Sequence, residues 1–224
     1  MNTKLTRRRL QQLAIALPAP LALAALGHRT AGIAFAQSDD ATATAEATAV
    51  GTPVLAPTPT CGDDDDFDVT LEQTEGPYYT PNTPERTSLL EDGITGTKLT
   101  VTGYVYSTDC QPIDKALIDF WHADDAGVYD NEGFRLRGHQ FTDEDGRYDL
   151  ETIVPGVYTG RTRHIHVKVQ APDQPVLTTQ LYFPDQPEND RDGIFDPALV
   201  LDIQEPDEDQ DGELGFFTFV LDIA

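Results

Sequence analysis

The stretch RTRHIHVKV at residues 161–169 sets His164 and His166 two apart inside a run that alternates like a β-strand. Strand side chains repeat with a period of two, so both imidazoles project from one face while Ile165 turns to the other. Such a pair makes a two-nitrogen clamp for a metal ion, although histidines two apart also occur by chance on a packed or exposed strand. Upstream, Tyr158 follows the Pro155–Gly156 turn and stands six residues before His164. Tyr129 lies beyond a strand ending at Trp121–His122, after a turn through Asp124, Asp125 and Gly127. Two tyrosines and two histidines on neighbouring strand ends or loops could converge on one ion; the alternative is that tyrosines beside turns serve only packing.

The elements that must position these groups read as strands. LTVTGYVYS (99–107), ALIDFWHA (116–123), GRYDLETI (146–153), HIHVKVQA (164–171), LTTQLYF (177–183) and FFTFVLDI (216–223) are short alternating or apolar runs. Between them lie DEDGR, VPG, APDQP and DEDQDGE, rich in turn-forming residues. No segment offers a long amphipathic helix. An all-β antiparallel sandwich follows, with chemistry on loops and strand ends at one edge. The segment Asp207–Gly212 has the acidic alternation of a calcium loop, but Thr218 stands where such a loop needs its bidentate glutamate. It reads as a hairpin turn, and so does the run Asp190–Gly193.

The N-terminus, residues 1–36, joins a basic segment to a weakly apolar one interrupted by Pro18 and Pro20, then to small residues ending in Ala34-Phe35-Ala36. It reads as an export signal rather than a membrane-spanning helix, and Thr6-Arg7-Arg8-Arg9-Leu10 resembles a twin-arginine signal. Residues 37–66 form an Ala/Thr/Pro-rich and then acidic spacer without the apolar residues a core requires. The globular domain is expected over 67–224. The formal charge is −24 for the whole chain and −29 without residues 1–36, which hold five basic residues and no acidic one. Such a surface repels polyanions, which excludes nucleic acid and argues against anionic membrane as partners of the mature domain. The two cysteines, Cys61 and Cys110, are expected to pair in an oxidising compartment.

The motifs taken together are more specific than any one of them. TEGPYYTP (74–81), DFWHADDAGVYD (119–130), TDEDGRYDLETIVPGVY (142–158), RTRHIHVKV and TTQLYF (178–183) resemble, in order and spacing, the motifs of the intradiol ring-cleavage dioxygenases. That resemblance implies a non-haem ferric ion held by Tyr129, Tyr158, His164 and His166. It implies opening of a catechol-type ring between its two hydroxyl-bearing carbons with O2, to give a muconate-type diacid. Phenolate is a hard anionic donor suited to Fe(III), and no cysteine lies near enough for a zinc–thiolate site. By the same resemblance Tyr158 is the axial ligand that leaves to take a substrate proton, Arg161 stabilises charge building on the ring, and Gln180 donates to a substrate oxygen.

Tyr78 and Tyr79, in EGPYY, are candidates for the pocket mouth or for simple packing, Trp121 reads as core, and His122 and His139 as structural or surface residues. Only some forty residues of spacer separate the signal from EGPYY, which leaves no room for the N-terminal helical domain through which catechol 1,2-dioxygenases dimerise, so any oligomer is expected to use the sandwich. The rival reading is an extracellular β-sandwich that binds a metal or ligand without redox catalysis. An extradiol enzyme, with two histidines and a carboxylate on Fe(II), would leave the tyrosines unexplained.

Overall fold

Period-two alternation becomes two packed sheets. The computed structural model describes residues 68–204 and 211–223. The export signal, the spacer and Cys61 lie outside the described residues. In chain order the strands are β1 (Lys98–Ser107), β2 (Leu117–Trp121), β3 (Arg137–Phe141), β4 (Arg147–Ile153), β5 (His164–Gln170), β6 (Leu177–Tyr182), β7 (Asp202–Gln204), β8 (Glu213–Phe216) and β9 (Phe219–Leu221). One sheet has four strands in the order β3-β2-β5-β6, all antiparallel. The other has the order β4-β1-β8-β7, with β9 also pairing to β1. β1 is antiparallel to β4 but parallel to β8 and β9, so this sheet is mixed. The only helical turns among the described residues are 3-10 turns at Asn189–Arg191 and Pro197–Leu199. This is the all-β sandwich that the alternation predicts.

Cross-strand register decides which side chains meet between the sheets. Ile118 faces Val169, Phe120 faces Val167, and Ile165 faces Leu181 in the four-stranded sheet; Val101 faces Leu150 in the other. All are fully buried and share one apolar cluster. Burying each such side chain contributes about 1.5–3 kcal/mol before conformational entropy is counted. His122 continues the inward alternation of Ile118 and Phe120 and reaches the opposite sheet, where its Nε2 meets Thr152 Oγ1 at 2.6 Å.

Three features differ from the pattern read in the sequence. β3 and β7 are additional strands, and FFTFVLDI is broken into the end of β8 and β9. The break lies at Phe217, whose amide donates to Thr102 O while its carbonyl accepts from Tyr148 Oη at 2.8 Å. Asn189–Arg191 is a 3-10 turn rather than a hairpin. β7 and β8 are antiparallel neighbours, as a hairpin through the acidic segment requires, although residues 205–210 lie outside the described residues. Cys110, in the turn after β1, is disulfide-bonded.

Phe217 O approaches β1 so closely that a Cβ on Gly103 would lie 1.7 Å from it. Gly103→Ala must therefore displace backbone, and it is expected to destabilise the fold by ~3 kcal/mol in urea unfolding. A loss below ~0.5 kcal/mol would contradict this packing.

Candidate metal centre

The outward face of the four-stranded sheet carries the site. While Ile165, Val167 and Val169 enter the core, His164 and His166 point the other way, as the strand period dictates. Register aligns Arg137, Trp121, His166 and Gln180 in one row across the four strands, with His164 opposite Tyr182 beside it. The segment before Tyr78 runs over this face: Gln73 N donates to Thr178 O at 2.8 Å and Gln180 Nε2 donates to Thr74 O at 2.8 Å.

His164 Nδ1 donates to Thr162 O at 2.7 Å, which fixes the tautomer and leaves the Nε2 lone pair free to ligate. That Nε2 lies 3.1 Å from His166 Nε2 and 3.1 Å from the Tyr129 hydroxyl. The His166 ring stacks on Trp121 at 4.8 Å with 5° between planes, so the sequence reading of Trp121 as core is right about burial, but it lies under the site and not between the sheets. Burial lowers the His164 pKa to about 4 and holds that of His166 well below its ordinary value, so both rings are neutral donors.

Two loops deliver the tyrosines, and they meet backbone to backbone. Gly156 N donates to Asp124 O at 2.7 Å; a Cβ on Gly156 would lie 2.4 Å from Asp125 O, and one on Gly127 would lie 2.3 Å from Val157 O. Gly127 also has φ +80°, a conformation that side chains disfavour. Tyr129 stacks on Tyr78 at 4.6 Å, and Tyr158 stands edge-on to Tyr129 at 5.8 Å between centroids. The Tyr158 hydroxyl engages Tyr78 Oη at 2.7 Å. The structure thus brings together the donor atoms of Tyr129, His164 and His166, with Tyr158 joined to them through Tyr78.

Tyr79 turns away from Tyr78. It packs on Trp121, donates to Asp119 Oδ2 at 3.2 Å and lies under the Lys168 ammonium at 4.3 Å. His139 belongs to the same polar cluster through Thr83. Arg161 is at the opposite side of the histidine pair, where its Nη2 donates to Gln180 Oε1 at 2.7 Å and its Nε to Asp192 Oδ2 at 2.7 Å.

Arg137, Tyr182 and Asp192 complete the surroundings and have no counterpart in the sequence reading. Arg137 is fully buried; its Nε and Nη2 donate to Asp130 O and its Nη1 to Tyr78 O, which ties together the segments carrying Tyr129 and Tyr78. Alternation with His139 could have flagged it had β3 been recognised. Asp192 sits 31 residues from Arg161 in a short turn, and no local pattern signals that meeting.

The donor set fits a metal ion. Burial pushes the Tyr129 phenol up, against the pull of the Arg161 and Arg137 guanidinium charges, so its phenolate form needs a further cation beside it. Among the described residues no group of three or more His, Cys, Asp or Glu is placed to hold a metal. The oxygen donor the structure sets within reach of the histidine pair is the Tyr129 phenol, a donor type that suits ferric iron.

A family model described as dioxygenase matches residues 74–223. Hydroxyquinol 1,2-dioxygenase of Rhizobium sp. (strain MTP-10005) is 32% identical over 171 residues, which are 63% of this chain and 58% of the relative. An intradiol ring-cleavage dioxygenase of Tetranychus urticae superposes with a TM-score of 0.62 at 26% identity, covering 69% of this chain and 94% of that one. The chain belongs to the intradiol ring-cleavage dioxygenase family. It spans about half the length of the curated relatives it matches. The chain is also similar to the dioxygenase domain of a dioxygenase carbohydrate-binding protein fusion from the cellulolytic bacterium Streptomyces sp. SirexAA-E. It is 55% identical, with a TM-score of 0.67, over 70% of this chain and 100% of that one.

The buried His122 gives this intradiol fold a pH dependence. Its Nδ1 donates to Ala123 O at 2.7 Å, its Nε2 accepts from Thr152, and burial lowers its pKa to about 4. Between about 4 and about 6.5 the unfolded chain binds the proton that the folded one refuses, so this contribution to stability is complete above about 6.5 and declines toward about 4. NMR of the metal-free protein should place the His122 titration near 4, with Tm falling across that window; a midpoint near 6.5 would contradict the burial argument.

Proposed function

We propose that this chain is a non-haem Fe(III) intradiol dioxygenase that opens catechol-type rings between the two hydroxyl-bearing carbons with O2, giving muconate-type diacids. The observation that carries this reading is the convergence of Tyr129 Oη, His164 Nε2 and His166 Nε2, with Tyr158 adjacent, inside the matched family region. Tyr129, Tyr158, His164 and His166 would hold the iron. When bound, ferric iron supplies the Lewis acidity that makes a diol's ring reactive toward O2.

The chain's own residues supply the rest. Held as a phenolate by the iron, Tyr158 would accept one hydroxyl proton from the diol as it leaves the metal, and Tyr78 Oη, 2.7 Å away, would hold the resulting phenol by hydrogen bond. Arg161, kept beside the histidine pair by Gln180, stabilises negative charge on the ring as it develops. Gln180 has its amide nitrogen on Thr74 O and its oxygen on Arg161, so it acts mainly by holding that guanidinium. The flat faces of Tyr78 and Tyr129 provide an aromatic wall.

The relatives named as acting on hydroxyquinol and catechol support a small diol as substrate. The twin-arginine-like N-terminus supports export of the folded protein, and with it plant-derived diols met outside the cell. A metal- or ligand-binding module without catalysis is not favoured, because it gives Tyr158, Tyr78 and Arg161 nothing to act on.

Oxygen uptake with catechol, protocatechuate, hydroxyquinol and caffeoyl compounds tests the reading. The purified protein should contain iron, show a visible tyrosinate-to-iron band that shifts on adding catechol, and consume one O2 per ring opened. Tyr129→Phe should weaken and shift the band, which Tyr158 alone would then supply, and lower kcat on the order of a thousandfold. A colourless protein that retains zinc and consumes no O2 on any diol would contradict it.

A further inference from the structure

The segment Asn189–Gly193 contains a buried carboxylate that the mechanism above does not use. The Asp192 side chain is 2% exposed, although its run NDRDG reads as an ordinary surface turn. Its Oδ2 accepts from Arg161 Nε at 2.7 Å and from Thr162 N at 2.9 Å, while Oδ1 accepts from Ile194 N at 3.2 Å. Thr162 is held from the same turn a second time, its Oγ1 donating to Asn189 Oδ1 at 2.6 Å. The carbonyl of that same Thr162 receives His164 Nδ1–H.

One carboxylate therefore grips two parts of the site. A guanidinium at the end of a long side chain has several rotamers, and an aimed one needs at least two of its edges fixed. Asp192 fixes the Nε edge and Gln180 the Nη2 edge; Nη1 makes no hydrogen bond among the described residues and is the donor left for the substrate. The charge match also fixes the plane, since a carboxylate on Nε orients the fork as a neutral acceptor does more weakly.

Resting on the function proposed above, we infer that Asp192 is a positioning residue: it aims the Arg161 guanidinium at the ring, and through Thr162 it braces His164, so it governs turnover more than diol binding. Asn189 assists by fixing the Thr162 hydroxyl.

The test is a double-variant comparison in the iron-loaded full chain. Asp192→Asn preserves size but replaces Oδ2, which accepts from both Arg161 Nε and Thr162 N, with either an uncharged and weaker amide acceptor or an amide donor that neither can pair with. The expected result is a fall in kcat on the order of a hundredfold, KM for catechol within about threefold, and partial recovery in Asp192→Glu. In an Arg161→Gln background, adding Asp192→Asn should cost less than about threefold, because the group it aims is already gone. Equal losses in both backgrounds, or an unchanged kcat, would overturn the proposal. A crystal structure of Asp192→Asn gives a readout independent of turnover. The guanidinium should leave Gln180 Oε1, and retention of that 2.7 Å contact would also overturn the proposal. If the native chain opens no diol at all, the functional reading fails while the crystallographic comparison still decides the role of Asp192.

Discussion

Everything in the site depends on one strand being occupied on both faces. β5 sends Ile165, Val167 and Val169 into the sandwich, and the same pleat sends His164 and His166 outward. The histidine spacing is thus locked by the core: a slip of one residue would bury the imidazoles between sheets and expose three branched side chains. Pairing with β2 and β6 then sets Trp121 and Gln180 beside His166 without further adjustment. The rigid part of the site is the sheet, and the rest is brought to it by loops.

The loops solve a harder problem, which is holding ionisable groups out of water in an acidic chain. Buried phenols and imidazoles resist charge, and the nearby guanidinium groups work against the phenols' resistance. Arg137 and Arg161 are managed differently. Arg137 is spent on carbonyls at Asp130 and Tyr78, so it fixes backbone; Arg161 is paired with Asp192 and Gln180 and keeps one edge open. The Asp130 carboxylate accepts from the amides of Arg135, Glu132 and Gly133, which hold its pKa below the usual range, and its charge favours the nearby Arg137 cation without a direct hydrogen bond between the side chains. One buried cation, Arg137, and one partly exposed cation, Arg161, on the same face favour anionic phenolate ligands there.

Much of this was legible in the sequence where the signal was local. β1, β2, β4, β5 and β6 appear within two residues of their expected bounds. β3 was hidden because RGHQF puts only a glycine and a glutamine, Gly138 and Gln140, on its inward side, which reads as no core at all. The break at Phe217 was hidden because the cause is Tyr148, far away in sequence. The site divides in the same way. The four candidate ligands stood in motifs, but Arg137 and Asp192 act through partners 59 and 31 residues distant, and neither sits in a pattern that announces it. Tyr78 and Tyr79 looked equivalent, yet adjacent residues face opposite ways, so Tyr78 meets Tyr158 and Tyr79 meets Asp119.

The central claim is that two phenols and two imidazoles share one iron atom. Diffraction from crystals of the purified chain, collected on both sides of the iron absorption edge, tests it most directly. The account predicts one anomalous peak bonded to Tyr129 Oη, Tyr158 Oη, His164 Nε2 and His166 Nε2, with Tyr158 released from Tyr78. A peak elsewhere, or a metal held by the histidines while both tyrosines remain unbound, would contradict it.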